Sequence, residues 1–191
     1  MKINKKLNLV IPVETDNGGT LYVHSTPISR EVFDTYFLVL SKTFAAIHGE
    51  GLGMIAGPRV AALILKKIST DMGIWEGETG VQRGLVNEMH RLTNVLVLGE
   101  RGWETVPYDE AITKELITQD DAAEVDNAVT FFIVSSAMHK RVMVEAMVAG
   151  AARLWGGQTS SLNCTEYASS LPTSIVTGNS GVTAKPLSVP S

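Results

Sequence analysis

The sequence predicts a mainly α-helical fold, fronted by an N-terminal β-hairpin and trailed by a Ser/Thr-rich flexible C-terminal tail. Three observations carry this. Apolar residues recur at spacings of three and four through most of 28–155, the period of an amphipathic helix. Residues 7–28 instead alternate around a tight-turn sequence. From Gly156 onward neither period survives, and residues 156–191 hold thirteen Ser/Thr, three Pro and two charged groups. The chain thus divides into a hairpin over 1–27 that packs on the helices, a helical domain over 28–155, and a polar tail over 156–191 that packs little or stays disordered.

In the hairpin, Leu7, Leu9 and Ile11 alternate with Asn8, Val10 and Pro12. Asp16-Asn17-Gly18-Gly19 supplies the turn, because Asn and Gly tolerate positive φ. Thr20 to His24 is the return strand. Ser29 is placed to cap a first helix, with Glu31 near its positive dipole end. Phe33, Phe37, Leu40, Phe44 and Ile47 give that helix about five turns, and Gly49, Gly51 and Gly53 end it. Pro58 suits the first position of the next helix. Its segment 60–68 is apolar nearly all round, which predicts a central, buried helix.

A third helix is expected over 79–92, striped by Val81, Leu85, Met89 and Leu92 and weakened by Gly84. Residues 94–98 read equally as a short strand or as the end of that helix. Residues 102–107 read as an extended connector and 109–117 as a short helix. Thr118 and the carboxylates Asp120, Asp121 and Glu124 then open the longest helical signal. Val125, Val129 and Phe132 line one face, and the pattern runs on through Met143, Met147 and Trp155. A bend near Ser135-Ser136 or Gly150 is compatible with it. Arg141 and Glu145 form an i,i+4 pair worth about 0.2–0.5 kcal/mol.

Composition excludes several function classes. The 191 residues suffice for one domain with a real core, and 45% are hydrophobic. Mean hydropathy is +0.13, high enough that part of the apolar surface is available to another molecule. Net charge is −4 and pI about 5.6, which argues against a nucleic-acid grip over the whole surface. Thirteen acidic residues against four basic ones between 71 and 126 make the middle repel phosphate. A solvated face explains that run, although it also suits a basic partner. The single cysteine, Cys164, rules out an internal disulfide and cysteine-paired zinc, and fits a reducing compartment. MKINKKLNLVIPVETD reads as the approach to a strand rather than a signal peptide, and no stretch reaches the ~20 apolar residues of a membrane span.

The search for chemistry returns little. Gly51-Leu52-Gly53-Met54-Ile55-Ala56 has the form of a relaxed dinucleotide fingerprint, with Asp71 twenty residues on. That fingerprint needs a strand before it, and here a periodic helix precedes. His24, His48, His90 and His139 are scattered, with no pair at i,i+4 and no metalloprotease motif. Cys164 has no base nearby in sequence, and Asn163-Cys164-Thr165 is a glycosylation sequon in form only. No P-loop lysine or nucleophile elbow occurs. The expectation is a non-enzyme with no cofactor and no metal. Phe131, Phe132, Met138, Met143, Met147 and Trp155 offer flexible, polarizable area suited to varied apolar helices. By periodicity alone the same residues describe an ordinary core helix.

The order of parts resembles the tail assembly chaperones of long-tailed bacteriophages. The segments that carry the resemblance are LNLVIPVETDNGGTLYVHSTPIS, the helix after it, NVLVLGERGWETVPYDEAI, DDAAEVDNAVTFFIVSSAMHKR and WGGQTSSLNCTEYASSLPTS. None is a catalytic motif. The resemblance implies a non-virion helper in the host cell cytoplasm that coats the apolar tape measure protein. It also implies recruitment of major tail tube subunits, in many members through a frameshifted longer product. It transfers no individual residue role. The six residues above are the guessed partner-binding set, with self-association open and neither nucleic acid nor membrane as partner. Two rivals stand beside it: a virion structural subunit of tail or connector, whose hairpin adds to a neighbour's sheet, and a small-molecule enzyme using the loop over 51–56.

Overall fold

A computed structural model describes residues 7–15, 18–49, 53–138 and 141–172. Within them the hairpin is the centre of a larger sheet. Strands β1 (Asn8–Glu14) and β2 (Thr20–Ser25) pair antiparallel, with Leu9 opposite Ser25 and Glu14 opposite Thr20. Gly18 takes φ 75°, the left-handed geometry that the turn requires. Strand β3 (Thr93–Gly99) pairs with β2, and β4 (Gly102–Pro107) with β3. Strand β5 (Gln158–Ser160) pairs with the outer side of β1. The result is a five-stranded antiparallel sheet in the order β4-β3-β2-β1-β5.

This corrects the expected mainly α fold: the chain is a mixed α/β domain. The undecided segment 94–98 is a strand, favoured by β-branched Thr93, Val95 and Val97. The connector over 102–107 is its hairpin partner, joined through Glu100 and Arg101. The hairpin is also unavailable for strand addition, since β2 has β1 and β3 as neighbours and β1 has β2 and β5. Residues 156–172 belong to the fold rather than to a loosely packed tail. Short Ser/Thr-rich segments show no period, yet β5 is fixed by β1 and its own α-helix, α8 (Cys164–Ser170), is set by Asn163. Asn163 accepts from the Glu166 amide while Glu166 accepts from the Asn163 amide, a reciprocal cap. Residues 173–191 lie outside the described residues, as do Asp16, Asn17, Gly51, Leu52 and His139.

Both sheet faces are buried. Leu9, Ile11, Val13, Leu21, Val23 and Val95 face the helices and form the main core. Val10 and Leu96 face the other way, where α8 lays Tyr167 and Ala168 over them. The larger layer begins with α1 (Arg30–Gly49), kinked at Tyr36 where φ is −107° and ψ 15°. It continues through α2 (Gly53–Arg59) and α3 (Ala61–Asp71). A π-helical turn (Val81–Val86) runs into α4 (Asn87–Arg91), replacing the single helix expected over 79–92. Gly84 has a packing reason: a Cβ there would collide with the Tyr36 hydroxyl. After β4 come α5 (Tyr108–Thr113), α6 (Gln119–Met138) and α7 (Arg141–Ala152).

The central helix is α6, not the segment over 60–68. Residues 128–135 of α6 are all buried, whereas α3 buries Ala61, Leu65 and Ser69 and exposes Leu63. An all-apolar run marks a helix that can be buried; the helices around it decide whether it is.

Candidate binding groove

The largely apolar groove of the helical layer lies between α3, the π-helical turn, α4 and α6. Its volume is about 230 Å³. Ala62, Leu65, Trp75, Val86, Met89 and Val129 supply most of its apolar lining. Asn127 accepts a hydrogen bond from the Ala62 amide at 3.0 Å and so ties α3 to α6 along the groove. The Lys66 ammonium lies 5.7 Å from the Trp75 ring centre, and Leu63, 63% exposed, is part of the lining.

Its polar end is built from three helices. Tyr108, buried on α5, places its hydroxyl 3.0 Å from the Asp126 carboxylate and 3.0 Å from the Ala122 carbonyl on α6. His90 on α4 packs edge-on against the Tyr108 ring at 5.0 Å. Its Nδ1 lies 2.8 Å from Asp109 and its Nε2 3.2 Å from Asp126. Burial pulls the His90 pKa down, but Asp126 and Asp109 outweigh it and hold it above the ordinary value. Burial, with Asp126 beside it, pushes the Tyr108 phenol far up, so it stays a hydrogen-bond donor. Sequence reading found His90 as a lone histidine; its carboxylate partners are 19 and 36 residues away and only the α5–α6 packing joins them.

The six guessed residues separate. Phe131 and Phe132 are fully buried in the core. Met138 is half-buried, its sulfur 3.7 Å from the Ser41 hydroxyl. Met147 is half-buried, while Met143 is 54% exposed. Trp155 is half-buried beside another cavity of about 200 Å³, between β1 and the start of α6. Of the loop over 51–56, residues from Gly53 onward open α2, and the element before the loop is helix α1, so the strand of a dinucleotide fingerprint is not what precedes it. His24 is buried on β2, away from the groove, and Cys164 is half-buried with its thiol 3.9 Å from Thr105, where burial pushes its pKa up.

Among the described residues, five large apolar side chains are exposed: Phe37 and Leu38 on α1, Leu63 on α3, Ile74 just after it, and Met143 on α7. None of the five is on a strand. No group of three or more His, Cys, Asp or Glu among the described residues is arranged to hold a metal, and no described helix is long and apolar enough to cross a membrane. In comparisons with known proteins, no family model, curated protein or solved structure matches this chain.

Proposed function

We propose that this chain is a tail assembly chaperone of a long-tailed bacteriophage, a non-catalytic protein of the host cytoplasm. Its client is the tape measure protein, and its later partner is the major tail tube protein. The observation that carries this reading is that, among the described residues, the exposed large apolar side chains lie on or just after helices, and one of them, Leu63, lines an apolar groove. The segment order resembling that family supports it independently. An apolar client helix left in water associates with its copies, because burying one Leu-sized side chain gains about 1.5–3 kcal/mol. A groove that accepts a few such side chains competes with that association until the tube takes over.

Co-expression with the tape measure protein of the same genome tests the reading. The soluble share of that protein rises with this chain present, and Leu63→Asp lowers the gain. A tape measure protein equally insoluble with and without the chain refutes it.

A virion structural subunit is the second reading, favoured by one observation. Among the described residues, strand β4 is hydrogen-bonded on one side only, to β3, and its other edge is the one such a subunit would offer for strand addition. Mass spectrometry of purified particles separates the two: a chaperone is absent and a subunit is present in many copies.

A further inference from the structure

The His90 cluster does more than fill space. Two ring nitrogens of one imidazole meet two carboxylates brought from two different helices, Asp109 of α5 at 2.8 Å and Asp126 of α6 at 3.2 Å. A neutral imidazole has one N–H and one lone pair, so it can donate to only one of them. Satisfying both requires the imidazolium. Removing its proton turns a lone pair toward a carboxylate oxygen and leaves two carboxylates facing a neutral ring.

The other neighbours do not supply a substitute charge. From α5, Tyr108 contributes a neutral hydroxyl that is itself on Asp126, and Lys114 just after the helix is paired with Glu110 at 2.6 Å. Strand β3 carries no charged residue, and the π-helical turn brings Gln82 and Val86 to the groove while its Arg83 is exposed. On α4 itself, Glu88 and Arg91 are paired with each other at 2.6 Å. From α3, Lys66 lines the same groove but stands over Trp75.

We propose that His90 is a proton-operated clasp that holds α4 against α5 and α6 and thereby sets the shape of the groove. The groove walls Val86 and Met89 lie within four residues of His90 on the same helical run, so they move when α4 is released. The sign follows from the raised histidine. The clasp is fully formed below the ordinary histidine pKa of about 6.5, and it is lost as pH rises through the higher value of the folded state. The device is independent of what the groove binds, so it stands or falls separately from the chaperone reading.

Two measurements on the full chain test it. Nitrogen-15 correlation spectra of the histidine rings follow His90 from pH 5.5 to 9.5, with His90→Gln assigning its signal. Fluorine spectra of protein labelled with 5-fluorotryptophan follow Trp75 over the same range, with Trp75→Phe assigning it. The expected result is a doubly protonated His90 ring at pH 6.5, a midpoint above that of a free histidine, and a Trp75 shift with the same midpoint. Asp109→Asn moves both midpoints down together. A His90 ring that titrates at or below the ordinary value overturns the proposal, as does a Trp75 signal that stays flat through the His90 titration. Should His90→Gln fail to fold, the histidine signal that moves in Asp109→Asn is assigned to His90 instead.

Discussion

The layers on the two sides of the sheet each hold a histidine, His24 fully buried and His90 half-buried, in opposite surroundings. On the small face His24 is fully buried between β1 and β3 beside Tyr167, and its Nε2 donates to the Leu162 carbonyl at 3.1 Å. Asn8 donates to the same carbonyl at 2.7 Å. Burial lowers the His24 pKa, so this ring stays neutral. In the helical layer His90 meets two carboxylates, which hold its pKa above the ordinary value against the effect of burial. The difference teaches that a histidine's role is set by what the fold brings to its second nitrogen. For His24 that nitrogen has no hydrogen-bond partner among the described residues; for His90 it is a second carboxylate.

The comparison is broken first by attacking the larger core. Phe132 on α6 is fully buried, and Phe132→Ala costs about 3–5 kcal/mol, measured by urea unfolding. Tyr167→Ala, on the small face, has a smaller global effect and instead raises hydrogen exchange selectively over 158–170. Equal global losses from both would mean that the two faces unfold as one unit.

Next in size is the contact between the α1 kink and the π-helical turn. Gly84→Ala drives a methyl group into the Tyr36 hydroxyl and costs about 1–3 kcal/mol. Removing that hydroxyl with Tyr36→Phe in the same chain returns part of the loss. A double mutant no better than Gly84→Ala alone would show that the ring itself, whose Cζ lies 2.8 Å from the added carbon, carries the collision rather than the hydroxyl.

Acid sharpens the contrast between the histidines. A lowered histidine pKa means that the unfolded chain binds the proton first, so stability is lost as pH falls below about 6.5. Exchange protection of β5 and α8 therefore drops between pH 7 and 5, while α4 stays protected over the same interval. Uniform loss across both segments would contradict the assignment. Smallest of all is Met143→Glu, which changes stability by no more than about 0.5 kcal/mol because the side chain is exposed. Thermal unfolding checks this, and client solubilisation in the co-expression assay shows whether the side chain belongs to the binding surface.

Much of the fold was legible where local signals are strong. The hairpin turn, α1 with Glu31 in its first turn, and the long helix opening at Asp120 and Asp121 are each specified within a few residues. What the sequence hides is pairing at long range. Strand β3 reads equally as a strand or as the end of a helix until β2 lies beside it, and β5 has three residues and no period of its own. The groove was invisible for the same reason. Its walls come from 62 to 130, and the periodic pattern that marks an apolar face does not say which apolar faces remain uncovered. The methionine and aromatic signal on α6 and α7 was real as composition, yet packing sends Phe131 and Phe132 inward and leaves Met143 outside.

The pairing of β5 with β1 sets an order of events during synthesis. Asn8 faces Ser160 across the sheet. Strand β1 therefore has one edge bare until some 150 residues have followed it. In a product cut short ahead of residue 158 that edge lacks its β5 partner, and a bare strand edge is a template for pairing with another chain.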